Sequence, residues 1–297
     1  MKKKKVIISG INGFLARNFA NEMVSSNNFE VIGFGRNSDK HKLLKKEITI
    51  ISYEEVAPYI QNHDIDIILH SATNYGRSND SIESILSTNL ILPVQLYSIA
   101  RRNNVQYFVN IDTILPKKYS EYALSKKQFV EWAKHLHSSN KFSSNTDIEN
   151  DFKFINIEFE HFYGPCAPSS NFISWIINQL RENTQDIKLT ECKQKREFIF
   201  ITDAVSALKT VFLNLEKLET YESITIGSGY PIPLKDIIFK AKSIFNSNSS
   251  FNFGAVPLNS NQRNLNFHNH TRIRELGWRS EISMNEGLTK IKNQINE

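Results

Sequence analysis

Tyr122 and Lys126 stand four residues apart in a stretch patterned as a helix, so both project from one face. A phenol titrates near 10 and is a poor acid or base at neutral pH. A neighbouring ammonium stabilises the phenolate and is expected to bring the group closer to neutrality. Such a pair can pass a proton to or from an oxygen on a carbon that exchanges hydride. Tyr-x-x-x-Lys arises often by chance on helix surfaces. Thr113, nine positions before Tyr122 and at the end of an apolar run, adds a hydroxyl placed to hydrogen-bond the same oxygen.

A second chemistry-bearing stretch lies near the start. Ser9-Gly10-Ile11-Asn12-Gly13-Phe14-Leu15-Ala16 is a G-x-x-G-x-x-A turn between a short apolar run and a helical pattern. Gly10 permits the tight turn, Gly13 lets backbone N–H groups approach a pyrophosphate, and Ala16 lets the helix pack close to the strand. The helix N-terminus adds its positive dipole end. Gly10, Asn12, Gly13, Phe14 and Leu15 are therefore expected to hold a dinucleotide. At the tip of the second strand, Gly33-Phe34-Gly35-Arg36-Asn37-Ser38 carries no acid for a ribose 2′-hydroxyl. Arg36, with Asn37 and Ser38, offers groups for a 2′-phosphate instead, so NADPH is expected ahead of NADH. A solvated loop arginine is the alternative.

These residues need a frame. The first two-thirds of the chain alternates short apolar runs with amphipathic helical stretches, the pattern of a parallel sheet covered by helices. Strands are expected at Val6–Ser9, Glu30–Phe34, Glu47–Ile51, Ile65–His70, Tyr107–Ile111 and Phe154–Phe159. Helices are expected at Phe14–Ser25, Glu54–Gln61, Ser81–Arg102 and Glu121–His137. Ser138–Asp151 is polar, without periodicity, and reads as a surface loop. Beyond Gly164-Pro165 the pattern changes to mixed helices and short strands. The fold class is α/β: a Rossmann-type doubly wound parallel sheet on residues 1–163, with 196–226 returning to it, and a smaller C-terminal α/β lobe on 164–297 for the substrate.

Composition excludes several classes. Hydrophobic residues are 40% and charged residues 23%, an ordinary globular balance, and no apolar run approaches the roughly 18 residues that span a bilayer. Val6-Ile7-Ile8 after the lysines is too short for a signal-peptide core, so a cytoplasmic protein is expected. Cys166 and Cys192 make neither a disulfide framework nor a zinc site; reduced, partly buried thiols are expected. The net charge of +5 arises largely at Lys2 to Lys5, and no nucleic-acid motif accompanies it. A diphosphate ligand would use part of that balance.

The order of G-x-x-G-x-x-A, Thr113 and Tyr122-x-x-x-Lys126 resembles the extended short-chain dehydrogenase/reductase family. The likeness continues along nearly the whole chain. His70-Ser71-Ala72-Thr73 is similar to the family's segment after the fourth strand, which implies that Ser71, Ala72 and Thr73 line the nicotinamide ribose. Asn89 matches the Asn that holds its helix and a proton-relay water. Phe162-Tyr163-Gly164-Pro165 resembles the Y-G-P turn. Arg196-Glu197-Phe198 is similar to the R-D-F stretch whose Arg meets a sugar nucleotide's diphosphate, and Leu276-Gly277-Trp278 matches a terminal L-G-W element. The resemblance further implies substrate contacts at Asn74, Thr113, His161 and Arg196, with Arg263 as a second diphosphate clamp, no metal, and a homodimer through the helices around 81–102 and 121–137.

Departures narrow the reaction. The segment from Thr113 to Tyr122 is short, and Glu158 and His161 stand where many relatives carry Arg and Asn. A 4,6-dehydratase needs an acid pair just after the Thr, but Ile114-Leu115-Pro116 follow here. An epimerase recycling bound NAD usually shows an acidic second-strand tip. An epimerase-reductase would want a Cys/His pair, and no Cys follows Thr113. Ketone reduction remains: an NAD(P)H-dependent 4-ketoreductase acting on a nucleoside-diphosphate 4-keto-6-deoxyhexose, dTDP-linked ahead of CDP-linked. His70 to Arg77 and Glu160 to Pro165 are similar to such 4-ketoreductases of surface-polysaccharide precursor pathways. A 4-epimerase and a non-catalytic dinucleotide sensor are the alternatives.

Overall fold

β-Branched and aromatic residues dominate six runs that pair into one sheet: β1 (Lys4–Ser9), β2 (Phe29–Phe34), β3 (Thr49–Ile51), β4 (Ile67–His70), β5 (Tyr107–Thr113) and β6 (Lys153–Phe159). The computed structural model describes residues 2–36, 39–77, 79–139, 152–258 and 268–296. The order across the sheet is β3-β2-β1-β4-β5-β6, with the strand Tyr221–Ile226 beyond β6. β1 is parallel to both β2 and β4, β2 to β3, and β4 to β5. This is the doubly wound α/β arrangement expected. Between β1 and β4 the order of chain entry reverses, and in such sheets ligands bind outside the carboxyl ends of the strands at that point.

Helices cover both faces, which is why the central strands are continuous apolar runs. On one face α1 (Phe14–Ser25) packs with the helix Ile201–Leu213, where the rings of Phe19 and Phe212 lie 4.8 Å apart. On the other lie α2 (Val56–Asn62), α3 (Ile82–Leu86), α4 (Leu92–Arg102) and α5 (Glu121–Ser138). Tyr97, Phe108, Phe129, Phe152 and Phe154, all nearly inaccessible, form the core beneath them. Burying a large aromatic side chain contributes roughly 1.5–3 kcal/mol, so this cluster carries much of the support for α4 and α5.

The long helix expected from Ser81 to Arg102 is interrupted. A π turn, Ser87–Ile91, joins α3 to α4. Pro93 lacks an N–H, and its ring would strike the carbonyl of the residue four before it, Asn89, in a regular α-helix. Widening the turn avoids that clash, and Leu92 N donates to Ser87 O across five residues. Asn89 sits in the widened turn, a placement common at functional sites.

The chain divides into two compact units, Met1–Glu158 with Leu208–Ile224, and Phe159–Ala207 with Thr225–Glu297. The second holds the helices Phe172–Arg181, Leu234–Phe245 and Met284–Asn296 and three two-stranded pairings. In it, His161–Tyr163 pairs parallel with Phe198–Phe200, and Ile187–Leu189 with Phe251–Phe253. Asp203 anchors the segment after Trp278, accepting from the Ser280 hydroxyl and the backbone N–H groups of Glu281 and Ile282. Among the described residues no helix is long and apolar enough to cross a membrane. Residues 140–151 of the expected loop lie outside the described residues. Both cysteines are free, Cys192 buried but Cys166 exposed, so partial burial does not describe the latter.

Candidate active site

The turn after β1 is built around a missing side chain. Gly10 has φ +68°, and a Cβ there would lie 2.5 Å from the Ala72 Cα and 2.8 Å from its N. That is backbone against backbone, with nothing to yield. Ser9 completes the junction: its hydroxyl oxygen accepts the N–H groups of Ser71 and Ala72 at 3.1 and 3.2 Å and meets His70 Nδ1 at 2.9 Å. With both lone pairs taken by amides, the hydroxyl donates to His70. Burial first, and the Lys126 charge second, hold the His70 pKa well below the ordinary value, so this histidine is a neutral structural post. The loops ending β1 and β4 are thereby locked side by side.

At the start of α1, Gly13 makes no side-chain cap and the first turn contains no acid, leaving the positive end of the helix open to an anion. Phe14 and Leu15 are buried, so their side chains belong to the interior. Asn12 donates through Nδ2 to the Arg36 carbonyl at 2.8 Å and meets His41 Nε2 at 2.9 Å, tying the β1 turn to the β2 tip. Its Oδ1 is buried with no hydrogen-bond partner among the described residues. Arg36 is exposed at that tip. Asn37 and Ser38 lie outside the described residues.

Asn89 reaches from the π turn into the loop after β4. It accepts the Asn74 N–H at 2.8 Å and donates to the Asn74 carbonyl at 2.7 Å and the Ser125 hydroxyl at 3.0 Å. Ser125 donates in turn to the Tyr122 carbonyl at 2.9 Å. Asn74 Nδ2 donates to Ser84 Oγ and its Oδ1 accepts the Gly76 N–H. The expected substrate contact Asn74 is thus buried and engaged locally. Loop, π turn and α5 form one hydrogen-bonded unit; Thr73 Oγ1 closes it with a long contact to the Ser71 carbonyl at 3.5 Å.

Tyr122, Lys126 and Thr113 converge. The Tyr122 hydroxyl hydrogen-bonds the Thr113 side chain, and Thr113 Oγ1 also accepts the Leu115 N–H at 3.2 Å. Lys126 is 1% exposed, and its Nζ has no hydrogen-bond partner among the described residues. Burial pushes its pKa down to about 8, with Lys127 adding to the fall and Asp112 opposing it. The phenol moves opposite to expectation. Burial first, then Tyr75 and Asp112, push its pKa well above the ordinary value, against the Thr113 hydrogen bond and the Arg77 charge. Desolvation of the phenolate outweighs every nearby cation. Tyr122 therefore keeps its proton at neutral pH, the state a proton donor requires.

Several contributors escaped the sequence reading. The Tyr75 ring lies 5.0 Å from the Tyr122 ring and tilted against it, and the Arg77 guanidinium lies over Tyr75 at 4.8 Å. Beneath Thr113, Lys127 bonds Asp112 Oδ2 at 2.8 Å and also pairs with Glu158. Asn156 donates to Asp112 Oδ2 at 3.2 Å and accepts from Asn110 at 2.7 Å. No motif signals this set, because its members come from β5, α5 and β6. His161 and Arg196 belong to the second unit. His161 lies beside Phe198, ring centroids 5.6 Å apart, and buried Arg196 donates through Nη1 to the Lys195 carbonyl at 2.7 Å. Arg263 lies outside the described residues.

A cradle that no side chain can fill at Gly10, an open helix end, and orphaned polar atoms on Asn12 and Lys126 suit a dinucleotide: phosphates on the turn, ribose hydroxyls on the ammonium. A doubly wound parallel sheet with a glycine turn between its first strand and first helix defines the class as a dinucleotide-binding protein of the Rossmann type. Residues 6–227 match the model of the NAD dependent epimerase/dehydratase family; the chain belongs to that family, and with it to the NAD-dependent enzymes of oxidoreductase type. CDP-abequose synthase of Salmonella typhimurium strain LT2 is 26% identical over 300 residues, covering 99% of both chains. The dTDP-4-dehydro-6-deoxyglucose reductase of Escherichia coli is 22% identical over 330 residues, covering 99% of this chain and 98% of its own. Among solved structures, UDP-glucose 4-epimerase of Thermotoga maritima superposes with TM-score 0.80 at 16% identity, covering 99% of this chain and 100% of the other. An epimerase of Methanothermobacter thermautotrophicus gives 0.83 at 16%, covering 99% and 93%. At such identity these structures establish the fold alone.

The buried ammonium yields a stability prediction. An unfolded lysine keeps its proton to about 10.5, whereas folded Lys126 loses it near 8. Between those values the unfolded chain binds more protons, so this residue's contribution to stability rises with pH. Lys126→Met is expected to stabilise the ligand-free chain at pH 7 by roughly 3 kcal/mol and by much less at pH 10. Urea denaturation at the two pH values checks this; a variant less stable at pH 7 would contradict it.

Proposed function

We propose that this chain is an NADPH-dependent 4-ketoreductase of a nucleoside-diphosphate 4-keto-6-deoxyhexose. The observation that carries the reading is the half-buried, protonated Tyr122 hydroxyl hydrogen-bonded to Thr113, one helical turn from the buried and unpartnered Lys126 ammonium. The positions after Thr113 support reduction over dehydration: Ile114 and Leu115 are apolar and buried, where elimination of water would need acids. Exposed Arg36 in place of an acidic strand tip favours a 2′-phosphate. The nucleotide sugars named in the relatives, CDP-abequose and a dTDP-4-dehydro-6-deoxyglucose, support the substrate class.

The reduced dinucleotide, when bound, supplies hydride. Thr113 orients the ketone oxygen by hydrogen bonding, and Tyr122 gives that oxygen its proton as negative charge develops there. Lys126 binds ribose hydroxyls, and its charge eases the departure of the phenolic proton. Asn89 and Asn74 hold the loop that shapes this side of the site. Arg196, with Arg263, is assigned to the diphosphate as a charge-assisted donor, and His161 to the sugar.

Purified protein given dTDP- or CDP-4-keto-6-deoxyglucose is expected to consume NADPH in stoichiometric amounts, read as loss of nicotinamide absorbance. An isomerised product without net cofactor loss would identify an epimerase and overturn the reading. Tyr122→Phe is expected to lower kcat roughly 10²–10⁴-fold with NADPH binding retained; comparable activity would refute the assigned acid. Arg36→Ala is expected to raise the KM for NADPH about tenfold and to leave that for NADH unchanged. Equal effects on both would remove Arg36 from 2′-phosphate recognition.

A homodimer through the helical segments around 81–102 and 121–137 belongs to the same reading. Its support is the large apolar side chains left on these segments: Ile91 is 50%, Leu124 42% and Trp132 51% exposed. Light scattering is expected to give twice the chain mass, and Trp132→Glu a monomer; a monomeric wild-type chain would contradict the assignment.

A further inference from the structure

Three residues far apart in sequence meet in the interior of the second unit. Glu160, Glu197 and His270 are 6%, 4% and 3% exposed, and each offers a donor atom within 4.8 Å of the others. They pack around Gly227, where a Cβ would lie 2.7 Å from Glu160 Cγ, Glu197 Oε2 and His270 Cε1 alike. The cluster has no part in the dinucleotide site or in the proton transfer assigned above.

The hydrogen bonds define which atoms are available. His270 Nδ1 lies 3.2 Å from the Thr225 carbonyl, which can only accept, so Nδ1 carries a proton and Nε2 is the nitrogen turned toward the cluster. Nε2 lies 3.0 Å from Glu197 Oε2. A contact this short between an imidazole nitrogen and a carboxylate oxygen calls for positive charge, supplied by a second proton on the ring or by a metal ion that both atoms ligate. Glu197 Oε2 also accepts the Gly229 N–H at 2.7 Å, which orients it. Glu160 Oε1 meets His268 Nδ1 at 3.0 Å, and its Oε2 lies 3.6 Å from His161 Nδ1. Two carboxylates are thus buried together, and one divalent ion would offset both charges.

The geometry points to a divalent transition-metal site of the zinc type, ligated by Glu160, Glu197 and His270, with His268 the neighbouring imidazole. Carboxylate oxygen and imidazole nitrogen are the donors such an ion takes. A backbone carbonyl on the far nitrogen of a ligating histidine is the usual outer-shell support. The deep burial makes the site structural. It fastens the residue preceding the strand His161–Tyr163, the residue following Arg196, and the segment from His268 to His270. Because Glu197 is bonded in sequence to Arg196, the ion also steadies the backbone that carries that guanidinium.

The test is metal binding by the full chain, read without substrate or NADPH. After dialysis against a chelator, titration with Zn²⁺ alone in a calorimeter is expected to show one ion per chain and to raise the thermal midpoint. Co²⁺ in its place is expected to give visible d–d absorption. Glu197→Gln, which keeps the side chain's shape, and His270→Ala are each expected to weaken Zn²⁺ at least tenfold. A wild-type chain that binds less than a tenth of an equivalent with an unmoved midpoint overturns the site. So does Zn²⁺ affinity equal to wild type in both variants, which would put the ion elsewhere. The wild-type titration and cobalt spectrum decide the matter even if a variant does not fold.

Discussion

The ammonium of Lys126 is buried at the carboxyl end of the sheet with nothing in the described chain to satisfy it, and the surrounding structure is arranged to tolerate that. A buried lysine tends to lose its proton, and here burial and Lys127 both push that way. Asp112 pushes back. Asp112 is itself held by Lys127 and Asn156, so the charge beneath Thr113 is fixed by a network spanning β5, α5 and β6. Removing a neighbour would leave uncompensated charge in the interior, a large penalty. A ligand that brought hydroxyl oxygens to the ammonium would relieve the same cost.

Around that charge the chain spends its irregular features on joining loops. Gly10 lets the β1 turn lie directly against the backbone at Ala72, and Ser9 bonds the two turns together. Pro93 widens the helix at Asn89 and thereby turns an amide side chain toward both Asn74 and Ser125. Each device costs regular hydrogen bonding or conformational freedom locally. Each also fixes one loop or helix to another with hydrogen bonds or backbone contact.

The second unit draws its specificity from different chemistry. Buried carboxylates and imidazoles around Gly227 gather segments widely spaced along the chain, while aromatic rings of His161, Tyr163, Phe198 and Phe200 pack along one strand pairing. Polar clustering of this kind specifies one arrangement, since a slipped register would strand a charge.

Much of the frame was legible in the residues alone. The helix Phe14–Ser25 and the strands at β1, β2 and β4 follow from apolar period and flanking glycine, signals that depend only on neighbours along the chain. The order of Gly10, Thr113, Tyr122 and Lys126 likewise specified the class of chemistry, because spacing on a helix face is local. Tertiary structure alone decided the rest. The phenol's shift upward reflects burial first and the electrostatic effect of Tyr75 and Asp112 second, which no i, i+4 rule contains. The strands His161–Tyr163 and Phe251–Phe253 exist through their partners, being too short to show a period. Glu160, Glu197 and His270 became one cluster only on folding, because what each side chain meets across long sequence separation is set by packing rather than by its own neighbours.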